Sequence, residues 1–148
     1  MIELTRAEIE IAKSIGCLRR MASMKQGHKN AHGFDGSTAW DIDIEGAAAE
    51  LAYCKYRGKY WGGCVNTYKG ADVGSNVQIR STTRPDGCLI VRDNDPDDHF
   101  FVLVVGRIPA FTVVGFIKGC DAKQKKWIRN PNGREACYFV PQDWLKRI

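Results

Sequence analysis

Asp72, Gln78 and Arg80 bring a carboxylate, an amide and a guanidinium into one short stretch, Ala71 to Ser81. Asp72 ends one extended run, Gly74-Ser75-Asn76 supplies a turn, and Val77 begins a second run. Strand side chains alternate in direction, so Gln78 and Arg80 are expected on one face while Val77 and Ile79 enter the core. A hairpin would bring Asp72 towards that polar face. An acid, an amide and a guanidinium at a sheet edge suit a phosphodiester better than a hydrophobic core. Upstream, the helix expected over about residues 44–57 carries a further acid, Glu50, at the margin of its buried stripe.

Phosphodiester hydrolysis needs an oriented water, charge neutralisation on the phosphate and help for the leaving oxygen. Carboxylates hold Mg²⁺ or Mn²⁺ through oxygen. Asp72 and Glu50 would supply two such ligands, and the side-chain carbonyl of Gln78 a neutral third. Arg80 would meet the phosphate through a planar, bidentate contact.

The order helical Glu50, then Asp72, then the strand triplet Gln78-Ile79-Arg80 resembles the PD-(D/E)xK nuclease superfamily over residues 43–116. That resemblance implies a restriction-endonuclease-like α/β core, a mixed β-sheet flanked by helices, here with an extra N-terminal helix. It also implies Mg²⁺- or Mn²⁺-dependent cleavage of nucleic acid, DNA before RNA, and leaves a homodimer open. On this resemblance Glu50 stands for the helical acid, Asp72 for the hairpin aspartate, Gln78 for the second acid and Arg80 for the lysine. Two departures matter chemically. Gln78 is uncharged, and Arg80 stays protonated, so it cannot take a proton from water at neutral pH. Two other classes of function remain open: a nucleic-acid binder that keeps the fold without the metal site, and an interaction or inhibitor module. An ordinary turn at Asp72 and the wet face of a half-exposed strand at Gln78 and Arg80 would also account for these residues.

The elements that must position this set can be read along the chain. Thr5-Arg-Ala-Glu8 fits a capping box, so a helix is expected over about residues 6–24. At 100° per residue Leu4, Ile11, Ile15 and Leu18 gather on its buried side, and Arg6, Lys13 and Arg20 on nearly the opposite side. That basic stripe is either a solvated face or a phosphate-tracking edge. Residues 25–40 lack periodicity and read as a long loop, from which His28, Lys29 and His32 could approach a phosphate. The second helix has Asp43 as candidate N-cap, a buried stripe of Ile44, Ala47, Leu51 and Cys54, and small residues from Gly46 to Ala49 that let it lie close to a sheet. Glu45 is expected to point away from the core.

Strands are expected over residues 64–68, 77–81, 88–92, 100–105, 111–116 and 136–140. Residues 100–105 are apolar throughout, as a central strand covered on both faces would be. Residues 93–98 read as a solvated acidic loop; the spacing lacks the glycine and distant glutamate of a calcium loop. Residues 121–127 suggest a short basic helix, with Lys123, Lys125 and Lys126 as further phosphate contacts.

A chain of 148 residues with 44% hydrophobic and 26% charged content is expected to form one domain, 1–148, with its core over about 43–148. A net charge of +5 permits a polyanionic partner without demanding one. No apolar run reaches bilayer length, and the first residues lack the order of a secretory signal, so no membrane partner and a cytoplasmic location are expected. The six cysteines show no CxxC pair and several core-like settings, which points to reduced thiols. His28 and His32 lack a matching Cys or His pair, so a zinc site finds no support.

Overall fold

The computed structural model describes residues 1–26, 37–65, 71–130, 133 and 135–148. The loop residues His28, Lys29 and His32, and most of the strand expected at 64–68, lie outside this set; Cys64 and Val65, which are described, are not in a strand.

The elements run β1 (Ile2–Glu3), α1 (Arg6–Lys25), α2 (Ser37–Arg57), β2 (Val77–Thr82), β3 (Leu89–Arg92), β4 (Phe100–Arg107), β5 (Ala110–Lys118), α3 (Gly119–Ala122), β6 (Ile128–Arg129) and β7 (Cys137–Val140). Short 3-10 turns occupy Lys125–Trp127 and Gln142–Trp144. One sheet has the order β1-β5-β4-β2 and the other β3-β7-β6. The first is mixed, with β2 parallel to β4 and the remaining pairs antiparallel. The chain is therefore α/β with a mixed sheet. Among the described residues no helix is long and apolar enough to cross a membrane.

Two cores sit on the two faces of the larger sheet. Val102 and Val104 pack with Ala47, Ala48 and Ala52 beneath the helices, whereas Phe101 and Leu103 pack with Leu89, Val91 and Val140 of the smaller sheet. Residues 101–104 of β4 are all buried, which is what a strand covered on both faces requires.

Thr5 caps α1 as the capping box predicts: its Oγ1 accepts from the Glu8 N–H at 3.2 Å, and Glu8 Oε2 accepts from the Thr5 N–H at 2.7 Å. The buried face of α1 differs from expectation. Ala12, Gly16 and Arg20 are buried, while Ile11 and Leu18 are 53% and 49% exposed. Small residues win because the helices touch backbone to backbone: a Cβ on Gly16 would stand 2.5 Å from the Ile44 Cα. Leu4 is buried, but ahead of the helix, where its N–H donates to the Pro109 carbonyl at 2.8 Å.

α2 begins six residues earlier than Asp43, at Ser37, so Asp43 is an interior residue and not the N-cap. Its buried surface is broader than one stripe, running through Ala47–Glu50 and Ala52–Cys54, because it is sandwiched between α1 and the sheet. Glu45 does not point away: it is half-buried and accepts from the Ile108 N–H at 3.1 Å. The basic helix expected at 121–127 is a four-residue α3 followed by a 3-10 turn.

Candidate functional site

The expected hairpin forms. Val73 and Val77 make an antiparallel bridge, the Asp72 and Val73 N–H groups donate to the Val77 carbonyl at 2.9 and 3.1 Å, and Gly74 turns the chain with φ +61°. Among the described residues β2 ends its sheet, and beyond the Val73–Val77 bridge its outer backbone groups have no strand partner there. Asp72 fills part of that edge: its Oδ2 accepts from the Ile79 N–H at 2.6 Å. Its Oδ1 makes no hydrogen bond among the described residues.

Glu50 reaches the same edge from α2. It is buried, and Arg19 of α1 spans both its oxygens at 2.7 and 2.9 Å. Trp61 Nε1 donates to Oε2 at 3.1 Å, and the Arg19 Nε–H is spent on the Cys64 carbonyl at 2.8 Å. Burial disfavours the charge on Arg19, but the bonds to Glu50 outweigh it and hold the guanidinium above its usual range. Burial and then the Glu50 charge push the Asp72 carboxyl up to about 6; the Ile79 N–H, Arg80 and Arg19 pull the other way without cancelling them. Two acids thus share one edge with Arg19 and Arg80 as counter-charges.

Arg80 and Gln78 are otherwise engaged. Arg80 leaves β2 on the face that carries Phe101, over whose ring its guanidinium lies at 5.1 Å. It donates to the Ile90 carbonyl at 3.3 Å and to both oxygens of Asp95 at 3.1 and 3.0 Å, so it ties β2 to β3 and the acidic loop. Gln78 is buried, with its amide nitrogen 3.2 Å from His99 Nδ1. Asp72 therefore senses the charges of both Glu50 and Arg80, but Arg80 and Gln78 leave β2 on the face turned to the smaller sheet, away from α2 and Glu50, and Gln78 lies against His99 in the loop before β4.

Three sequence expectations are corrected by these contacts. Arg20, read as part of an exposed basic stripe open to solvent or to phosphate, is 7% exposed and faces Asp43 at 3.5 Å, because the close α1–α2 contact draws that side of α1 inwards. Arg6 and Lys13 do remain exposed. Lys123 is no phosphate contact as it stands: its ammonium donates to the Asp93 and Asp95 carbonyls and to Asp97 Oδ1, at 2.8, 2.6 and 2.7 Å. The acidic loop is accordingly wrapped round a lysine, and Asp95 is half-buried against Arg80. Lys125 and Lys126 stay exposed.

Arg19, Trp61, Asp95 and His99 are the site residues that sequence reasoning missed. The small residues Ala12 and Gly16, four apart, were the available signal, since their close approach to α2 turns Arg19 towards it. Among the described residues no group of three or more His, Cys, Asp or Glu side chains is arranged to hold a metal ion. No family model matches the chain, and neither a curated protein nor a solved structure matches it.

Proposed function

We propose that the chain is a nuclease-like protein with a restriction-endonuclease-like core that acts on the phosphodiester of nucleic acid at the edge of β2. The observation that carries this reading is the acid pair. A half-buried Asp72 carboxyl, pushed up to about 6 beside the buried carboxylate of Glu50, is costly to keep unless a positively charged or phosphate-linked partner uses it.

The donors fit a hard divalent cation in type, since both are carboxylates and Asp72 Oδ1 carries no hydrogen bond among the described residues. They fit in charge, because a cation would relieve the repulsion between the acids. Asp72 and Glu50 would hold it. A bound Mg²⁺ or Mn²⁺ would supply charge neutralisation on the phosphate and a more acidic water. The chain's own residues do the rest. The Ile79 N–H fixes the orientation of Asp72, and Trp61 and Arg19 fix that of Glu50. Arg19 and Arg80 supply positive charge near Asp72, and their planar forks, held by Glu50 and Asp95, would meet a phosphate only by exchanging those carboxylates.

A second reading, nucleic-acid binding without cleavage, is favoured by one observation: Arg19 already occupies both oxygens of Glu50. The deciding experiment incubates plasmid and single-stranded DNA and RNA with the protein in Mg²⁺, Mn²⁺ or chelator. The nuclease reading expects metal-dependent cleavage that Asp72→Ala abolishes without unfolding the protein. Equal cleavage by that variant would sink it, and binding without cleavage in either metal would select the second reading.

A further inference from the structure

A cavity of about 320 Å³ lies at the end of β5, within the range of small-ligand sites, about 300–1,000 Å³. It shares no residue with the acid pair. Its walls are aromatic. Phe100 and Phe116 meet edge to face at 6.0 Å and 64°, and Trp127 and Trp144 at 5.7 Å and 65°. Trp127 is buried, but Trp144, in the last 3-10 turn, is 58% exposed. Lys126 stands over one face of this ring, yet the side chain stays largely open beside the cavity. The wall is also fixed: the backbones of Phe116 and Lys146 bond to each other in both directions, at 2.8 and 2.9 Å, which pins the C-terminal segment to β5.

The charge around these rings selects the ligand. Lys118 and Lys146 line the cavity, are exposed, and make no ion pair among the described residues. The ammonium of Lys126 stands 3.9 Å from the centre of the Trp144 ring and 4.8 Å from that of Trp127. Asp121 is the acid in the lining. A quaternary ammonium is disfavoured, because Lys118, Lys126 and Lys146 would repel a further cation. An anion with a flat ring meets both features, since the ring stacks on tryptophan and the anion reaches the lysines.

We propose that this cavity is a binding site for a nucleobase together with its adjoining phosphate, the ring stacking on Trp144 and the phosphate meeting Lys118 and Lys146. The chemistry is common to a single strand and to a free nucleotide. A duplex does not offer it, because its bases are stacked on one another. The site would let a single-stranded region be gripped independently of any chemistry at the β2 edge.

The test follows tryptophan fluorescence while the protein is titrated with a short oligothymidylate, the same sequence as a duplex, and adenosine monophosphate. Trp144→Ala is expected to weaken oligothymidylate binding about 5- to 160-fold, the range of base–aromatic stacking, and Trp144→Phe to restore most of it. Removing Lys118 and Lys146 together should flatten the salt slope by about 0.7, the share of one single-strand phosphate. Tighter binding of the oligomer than of the mononucleotide assigns the site to a strand, and the reverse assigns it to a free nucleotide. Unchanged binding by Trp144→Ala, or a duplex bound as tightly as the single strand, overturns the proposal. Should Trp144→Ala fail to fold, the lysine variants still decide it, an unchanged slope being the overturning result. All titrations are run in chelator, where metal-dependent cleavage at the β2 edge is silent, so loss of the nuclease reading would not be mistaken for loss of this one.

Discussion

Asp72→Asn is expected to stabilise the protein at neutral pH and to lose that advantage in acid. Asparagine keeps an oxygen for the Ile79 N–H, which the aspartate accepts at 2.6 Å, and removes the charge beside Glu50. The carboxyl lies at about 6 instead of its usual 3.8, which corresponds to about 3 kcal/mol when the folded state is forced to carry the charge. Because Glu50 shares in that displacement, the expected gain is about 1–3 kcal/mol. The sign follows from proton binding. A carboxyl whose folded pKa exceeds its unfolded value binds more protons when folded, so native stability falls as pH rises from about 4 to about 6. Asparagine lacks that fall. The variant's advantage should be complete above about pH 7 and vanish below about pH 4, where the carboxyl is protonated in both states. Urea unfolding followed by fluorescence across this range measures it directly, and a gain of this size should raise Tm by roughly 3–9 °C. A difference that does not change with pH, or a variant less stable than wild type at neutral pH, would refute the reasoning.

Two further outcomes follow from the same contacts. Glu50→Ala should destabilise by about 3 kcal/mol, the lower end for breaking a buried ion pair, because Arg19 retains some solvent; urea midpoints check this, and a loss below about 1 kcal/mol would class the pair with surface bridges. All six cysteines are free, so thiol titration in denaturant without reductant should find six. Under native conditions the exposed Cys64 and Cys120 should react first. Cys54 should react last, because it is buried and its thiol is pushed up to about 11 by burial and the charge of Glu50; early reaction of Cys54 would contradict its placement.

Local signals determined much of what the sequence made legible. The Thr5 capping box, the Gly74 turn and the unbroken apolar run of β4 each depend on neighbours in the chain, and each appears where its spacing predicts. So does the placement of Asp72 beside β2, since a tight hairpin fixes it within a few residues. Free cysteines were legible as well, although their core-like settings were not: only Cys54 is buried, while Cys88 and Cys137 are intermediate. Tertiary structure decided the rest. Which face of α1 is buried depends on how closely a second helix approaches. Gly16 permits backbone contact with Ile44, and that contact turns Arg19 onto Glu50 and Arg20 onto Asp43, against the larger apolar residues Ile11 and Leu18. The partners of Arg80 and Lys123 come from a loop that looks merely solvated until the chain folds it back. Periodicity reports which residues share a face. Whether that face meets solvent, a carboxylate or another backbone is set by elements distant in sequence, and that pairing fixed the electrostatics of the site.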